Sequence, residues 1–244
     1  MNKAKNIVLT LAAASMLAAC GNTAKTGAAY GMTHGAGYIS KATVTVDGGK
    51  VTDATLVEVC LPDYVQPASA SADTVEATVK SHGADVTRLF WKTVKFGTYT
   101  LEFDATAKTY KSGSKTMVEL FQEEKAAQTY YDAVLANNVS VMIGGKEDKT
   151  YLTNDQLNKE VNGYWKGDNY PLGWLGNRDA TVKWVKEHGI DGLLSATKKT
   201  DGNKQWTVNG VDTGATWSDL ASNTTGKNYL SYAQLLVNAF NNAK

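Results

Sequence analysis

An α+β fold, an antiparallel sheet with packed helices, is what this sequence predicts, and three observations predict it. Alternating, β-branched segments gather in the first half of the chain. Helical periodicities with identifiable caps gather mostly in the second half. No internal repeat and no break in composition forces a division of the folded part into two domains.

In chain order, Lys3 and Lys5 precede an apolar run, Ile7 to Ala19, interrupted only by Thr10 and Ser15. The run is shorter than the roughly 20 apolar residues of a spanning helix. It has the charge pattern and length of an export signal. It ends in Leu17-Ala18-Ala19-Cys20, which resembles the lipobox of bacterial lipoproteins. The resemblance implies cleavage before Cys20, a diacylglyceryl group on the Cys20 thiol, and an extracytoplasmic protein held at a bacterial membrane by that lipid. An ordinary secretory signal followed by a chance cysteine is the alternative. No later segment is long and apolar enough to span a bilayer, so lipid is the anchor the sequence offers.

The chain therefore divides into a leader (1–19), a lipidated N-terminus with a flexible linker (20–31), and one domain (32–244). Gly21 to Gly31, rich in Gly, Ala, Thr and Asn, reads as the linker. Tyr38 to Val46 alternates and reads as a strand. Asp47-Gly48-Gly49 signals a hairpin, and Lys50 to Cys60 the returning strand. Leu61 to Ala72, with two of the three prolines, reads as a loop. Thr93 to Phe103 reads as a further strand, followed by turn residues from Asp104 to Gly113. Thr116 with Glu119 forms a capping box, behind which Met117, Leu120, Phe121, Tyr131, Val134 and Leu135 share a helical face. Thr153 with Gln156 caps a second, short helix that ends near Gly163. Asn177 is the expected N-cap of a third, running to His188 and stopped by Gly189. Tyr229, Tyr232, Ala233, Leu236 and Phe240 share one face of a fourth.

Composition excludes several chemistries. A formal net charge of +1 gives no sign of nucleic-acid binding. With Cys20 acylated only Cys60 remains, so there is no disulfide framework, and its apolar neighbours make Cys60 a buried small hydrophobe rather than a reactive thiol. His34, His82 and His188 lack metal-ligand spacing. The sequence contains no HExxH, no GxSxG and no phosphate-binding Gly-rich loop. Glu119, Glu123 and Glu124 read as the solvated side of a helix. Nothing here points to a catalytic residue.

One hexapeptide stands apart: Thr213-Gly214-Ala215-Thr216-Trp217-Ser218. It resembles the flavinylation motif of the FMN-binding domain family, Ser/Thr-Gly-Ala-Ser/Thr-x-Ser/Thr. Gly35-Ala36-Gly37-Tyr38, with Val44-Thr45-Val46-Asp47-Gly48-Gly49-Lys50-Val51, is similar to the first turn and hairpin of those domains. The resemblance implies an FMN-binding-domain-like fold with a terminal helix after the motif. Because it covers only the two ends of the domain, it implies a large central insertion. It also implies FMN joined through a phosphoester to Thr216 by a Mg-dependent transferase that takes FMN from FAD, and electron relay between a membrane redox partner and an extracytoplasmic acceptor.

The residue types suit that chemistry. A phosphodiester needs a side-chain hydroxyl, and Gly214 and Ala215 leave the backbone open to close approach. If Thr216 opens a helix, its free N–H groups can hold the phosphate, and Trp217 can pack on the isoalloxazine ring. Thr216 with Asp219 reads equally as an ordinary N-cap pair. The aromatic-rich segment Tyr164 to Gly176 either covers the cofactor, meets a partner or fills the core. Two other classes stay open: a solute-binding lipoprotein, for which 6 Trp and 12 Tyr would suit a sugar or peptide, and a surface-interaction lipoprotein.

Overall fold

Strand β1 (Lys25–Thr33) opens the computed structural model, which describes residues 23–81, 83–163, 172–202, 204–221 and 227–244. The leader, Cys20, His82 and most of the aromatic segment lie outside the described residues. Lys25 to Gly31, expected to be linker, is strand instead. Its small residues serve packing rather than flexibility: a Cβ on Gly27 would run into the backbone of Ala239 and Ala243 in the terminal helix.

The expected hairpin follows. β2 (Tyr38–Asp47) and β3 (Lys50–Cys60) are joined through Gly48 and Gly49, with φ of 57° and 80°. β1-β2-β3 is an antiparallel meander whose register puts Ala29, Ala42 and Leu56 side by side on one face. Met32, Ile39 and Val59 line up on the other. Both faces are buried, each in its own apolar core, so this sheet is the shared wall of the molecule.

Beyond the loop after β3, which holds one short turn of 3-10 helix (Pro62–Tyr64), stands a hairpin the sequence does not announce, β4 (Thr74–Ser81) and β5 (Ala84–Trp91). The single strand expected over Thr93 to Phe103 is two, β6 (Thr93–Phe96) and β7 (Tyr99–Asp104), folded back at Gly97, where φ is 52°. β8 (Thr109–Ser112) occupies part of the segment read as turn, and β9 (Lys115–Thr116) follows. The Thr116–Glu119 capping box is present, but the helix behind it breaks at Gln122 into α1 (Met117–Phe121) and α2 (Glu124–Leu135). Leu135 is exposed rather than on the buried face. β10 (Ser140–Ile143) and β11 (Lys146–Asp148) complete a six-stranded sheet, order β11-β10-β6-β7-β8-β9. Phe96, Leu101, Phe121, Tyr130 and Val134 fill the first core between this sheet, α1, α2 and the meander.

The second core lies on the opposite face of the meander. The Thr153–Gln156 box caps α3 (Asn154–Leu157), but the one short helix expected there is two: Asn158, in extended conformation, ends α3 and caps α4 (Lys159–Asn162), which stops at Gly163. α5 (Gly173–His188) begins four residues before Asn177, which is therefore inside the helix and not its cap. β12 (Thr197–Lys198), β13 (Trp206–Val208) and β14 (Val211–Asp212) form a small sheet. α6 (Tyr232–Asn242) is capped by the Ser231 hydroxyl, so Tyr229 precedes it. The architecture is α+β with antiparallel sheets. No helix among the described residues is long and apolar enough to cross a membrane.

Gly27 gives a direct test of the close packing between β1 and α6. Gly27→Ala is expected to cost about 1–3 kcal/mol, the range for overpacking a filled core, read as a lowered midpoint in urea denaturation. An unchanged midpoint would mean that α6 can move away freely.

Candidate functional site

The hexapeptide follows directly from the β13–β14 hairpin, and each of its first residues has a definite task. The Thr213 N–H and Oγ1 both donate to the Trp206 carbonyl, at 2.9 and 3.0 Å. The same hydroxyl accepts from the Ala215 N–H at 3.2 Å. Trp206 N–H in turn donates to the Ala215 carbonyl at 3.0 Å. Gly214 sits at φ 77°, a backbone region costly for any residue with a Cβ. Ala215 is fully buried. Thr213, Gly214 and Ala215 form a tight turn pinned to β13, with the Thr213 hydroxyl consumed inside it.

Thr216 is half-buried and Ser218 exposed. No helix starts at Thr216: residues 213–221 are irregular. Its N–H is not free for an anion, because it donates to Asn177 Oδ1 at 2.6 Å. Trp217 N–H donates to the same oxygen at 3.0 Å, and the Thr216 hydroxyl at 3.2 Å. The amide of Asn177 is turned unambiguously by its surroundings: two N–H groups face Oδ1, while Nδ2 donates to the Gly173 carbonyl at 2.7 Å. From the other side Lys198 Nζ donates to the carbonyls of Thr216 and Trp217, at 2.9 and 3.2 Å. Trp206 Nε1 also reaches the Trp217 carbonyl, at 2.6 Å. Thr216 is thus held by its backbone on both sides, beside a lysine ammonium.

Trp217 is spent on the protein. It is 2% exposed, and its ring stacks on Tyr232 at 4.0 Å with 14° between planes. It is therefore the motif's attachment to the core and not an open platform for another ring. Asp219, read as the possible partner of an N-cap, instead pairs with His34 Nδ1 at 2.8 Å and accepts from Ser218 Oγ at 2.8 Å. Burial alone would raise the Asp219 carboxyl, but these bonds and the nearby Lys198 hold it below its ordinary value.

Behind Tyr232 lies a group that sequence reasoning misses. The Tyr232 hydroxyl donates to Glu58 Oε2 at 2.9 Å, and Thr33 Oγ1 and Ser40 Oγ donate to the same oxygen at 2.6 and 2.7 Å. Glu58 Oε1 pairs with Lys159. Both are buried, at 0% and 1% exposure, and the Lys159 ammonium lies 3.3 Å from the Tyr38 ring centroid. Desolvation pushes the Glu58 carboxyl up, but the Lys159 charge and the hydroxyl bonds outweigh it and hold it below the usual carboxylate range. The alternation of β3 marks Glu58 as inward-facing; nothing in the sequence marks Lys159 as its partner, 101 residues away.

Cys60 is buried as expected, its thiol pushed up to about 12 chiefly by desolvation, so it is inert. No group of His, Cys, Asp and Glu that could hold a metal occurs among the described residues. Of the motif's hydroxyls, that of Thr216 belongs to a half-buried residue whose backbone is held by Asn177 on one side and Lys198 on the other. No protein-family model, curated protein or solved structure matches the chain.

The buried pair sets an acid dependence. Glu58 has a folded-state pKa below its unfolded value of about 4.3, so its contribution to stability is present above that pH and is lost as the pH falls through the folded value. Glu58→Gln is expected to cost about 3–5 kcal/mol at neutral pH, because it strands the buried Lys159 charge. Adding Lys159→Met should recover most of that loss. The double variant should also show a shallower fall in urea midpoint than the wild type as the pH drops below about 4.

Proposed function

We propose that the chain is a membrane-anchored carrier of FMN, bound covalently through a phosphoester to Thr216, that relays electrons outside the cytoplasm. The observation that carries this reading is the contrast among the three motif hydroxyls. Thr213 is buried and fully engaged in its turn, and Ser218 is exposed and bonded to Asp219. Thr216 lies between these extremes: half-buried, with its N–H and hydroxyl on Asn177 and its carbonyl on Lys198. A transferase needs such an acceptor, since a hydroxyl held in place removes much of the entropic cost of the attack.

The residues around it fit a phosphate. Lys198, bonded to the Thr216 and Trp217 carbonyls, would bring positive charge to the phosphoester. Bound flavin would supply one- and two-electron exchange, and the protein its placement and electrostatics. The FMN-binding-domain-like fold belongs to the same reading: the β2–β3 hairpin, the motif after β14, and α6 packed on the meander follow that order, with residues from about 61 to 202 inserted between.

The anchor on Cys20 belongs to the reading as well. Because β1 starts at Lys25, a lipid on Cys20 would be joined to the sheet by a stretch of chain no longer than about 17 Å. α6 runs back along β1, so that Lys25 Nζ bonds the Lys244 carbonyl at one end, while Leu230 N–H bonds the Met32 carbonyl at the other. Thr216 and Trp217 lie at that second end, beside the starts of α5 and α6. A nine-residue strand spans roughly 27 Å. The lipid would keep the carrier at a membrane donor, and the length of the sheet would carry Thr216 outward toward an extracytoplasmic acceptor.

Co-expression with a Mg-dependent FAD:protein FMN transferase tests the assignment. The expected result is a fluorescent band on a denaturing gel and an intact-mass gain of one FMN on the Thr213 to Ser218 peptide. Thr216→Ala should abolish both. A colourless wild-type protein in the presence of active transferase, or an undiminished band from Thr216→Ala, overturns it.

A further inference from the structure

We propose that Asn177 is the positioning residue for modification at Thr216, holding the acceptor oxygen in place before, during and after phosphoryl transfer. The proposal rests on the reading of Thr216 as the phosphoester site. Asn177 is 3% exposed and lies 39 residues from Thr216, in helix α5. Its Oδ1 has two lone pairs, and the two backbone N–H groups of Thr216 and Trp217 fill them at 2.6 and 3.0 Å. The Thr216 hydroxyl is a third donor to an oxygen already satisfied, and at 3.2 Å its hydrogen bond is the longest of the three.

That ordering matches what the transfer requires. The Thr216 O–H bond breaks and its oxygen forms a bond to the FMN phosphorus of FAD. The pyrophosphate P–O bond breaks, AMP leaves, and the proton passes to a base of the transferase. A neutral amide oxygen cannot take that proton, so the hydroxyl hydrogen must turn from Asn177 to the base. Only the longest of the three hydrogen bonds is given up, while the two backbone bonds keep the backbone that carries the oxygen in place. Once esterified, Thr216 has no hydroxyl proton to donate, and the same two bonds still satisfy Oδ1. The hydrogen bond that the reaction removes is therefore the one the loop can spare.

Purified protein, purified transferase, FAD and Mg²⁺ followed by intact mass give the test, with thermal melting and amide exchange of the unmodified protein as independent readouts. Asn177→Ala is expected to lower the loading kcat/KM about 10- to 100-fold, the scale for a misplaced acceptor. It should speed exchange at the Thr216 and Trp217 amides while leaving β2 and β3 protected. Asn177→Asp keeps an acceptor for both N–H groups, so those amides should stay slow, yet it sets a negative charge beside the oxygen that must receive a phosphoryl group. Its loading should be slow at neutral pH, with a deficit against wild type that shrinks as the pH falls toward the carboxylate range. A purely structural role for Asn177 predicts instead a loading deficit that tracks the variant's loss of melting temperature at each pH. Wild-type loading in a folded Asn177→Ala overturns the proposal. If that variant does not fold, wild-type loading of Asn177→Asp at neutral pH overturns it. No FMN on the wild-type protein removes the Thr216 reading itself and the proposal with it.

Discussion

The carboxylate of Glu58, shut away from water, gathers the elements that carry the motif. Thr33 comes to it from β1, Ser40 from β2, Lys159 from α4 and Tyr232 from α6. An unpaired charge in such a place would be prohibitive, and a single pairing would leave lone pairs empty. Four donors, one of them a cation, satisfy it. Because each donor sits on a different element, the network has one geometry that works, and it fixes how α6 starts relative to the sheet. Tyr232 then carries that constraint outward: its hydroxyl is bound to Glu58, its ring is stacked against Trp217, and Trp217 is the neighbour of Thr216. The placement of Thr216 is thereby tied to a buried ion pair.

The motif loop shows how a short sequence separates tasks. Thr213 spends its hydroxyl within the turn, Gly214 supplies a conformation and Ala215 supplies a lack of volume. Trp217 supplies an anchor in the core. Thr213, Gly214 and Trp217 would each be damaged by a different change: loss of an acceptor for the Ala215 N–H, a Cβ at positive φ, or a void beneath Tyr232. None of the four touches Thr216 through its side chain. The side chain that does, Asn177, comes from a distant helix, and the cation beside the loop, Lys198, comes from β12. The hexapeptide thus encodes its own shape, but the environment of its hydroxyl is built by residues outside it.

This division explains what is readable in the sequence. Local signals are legible where local physics decides: the Gly48–Gly49 turn, the boxes at Thr116 and Thr153, and the stop at Gly189 each involve residues within a few positions of one another. β1 is illegible for a physical reason. Its Gly and Ala content looks like a linker by composition, yet small residues are what the approach of α6 demands, and that demand comes from Ala239 and Ala243, more than 200 positions away in the chain. The break of one expected strand at Gly97 is hidden because the apolar alternation resumes at once on the far side of the turn. Asn177 misleads because Asn ahead of a helical pattern is a common cap. The true start of α5 lies among glycines and aromatics that carry no cap signal. Glu58 and Lys159 form a pair only in three dimensions.

The identity of residue 177 follows from hydrogen-bond accounting. The position must accept from two backbone N–H groups on one side and donate to the Gly173 carbonyl on the other, all within a site closed to water. Aspartate offers acceptors but no donor when ionised, and would place a buried negative charge against that carbonyl. Serine and threonine carry both functions on one atom, too short to reach both sides. Glutamine carries the right groups one methylene further out, in a site already filled. Only the asparagine amide puts an acceptor and a donor at the required separation with no net charge. Neutrality matters at this point, since the loop it holds already meets a cation, Lys198, at the carbonyls of Thr216 and Trp217. A charged residue in its place would set the electrostatics of the loop by itself; a neutral amide fixes the geometry and leaves the charge to the lysine.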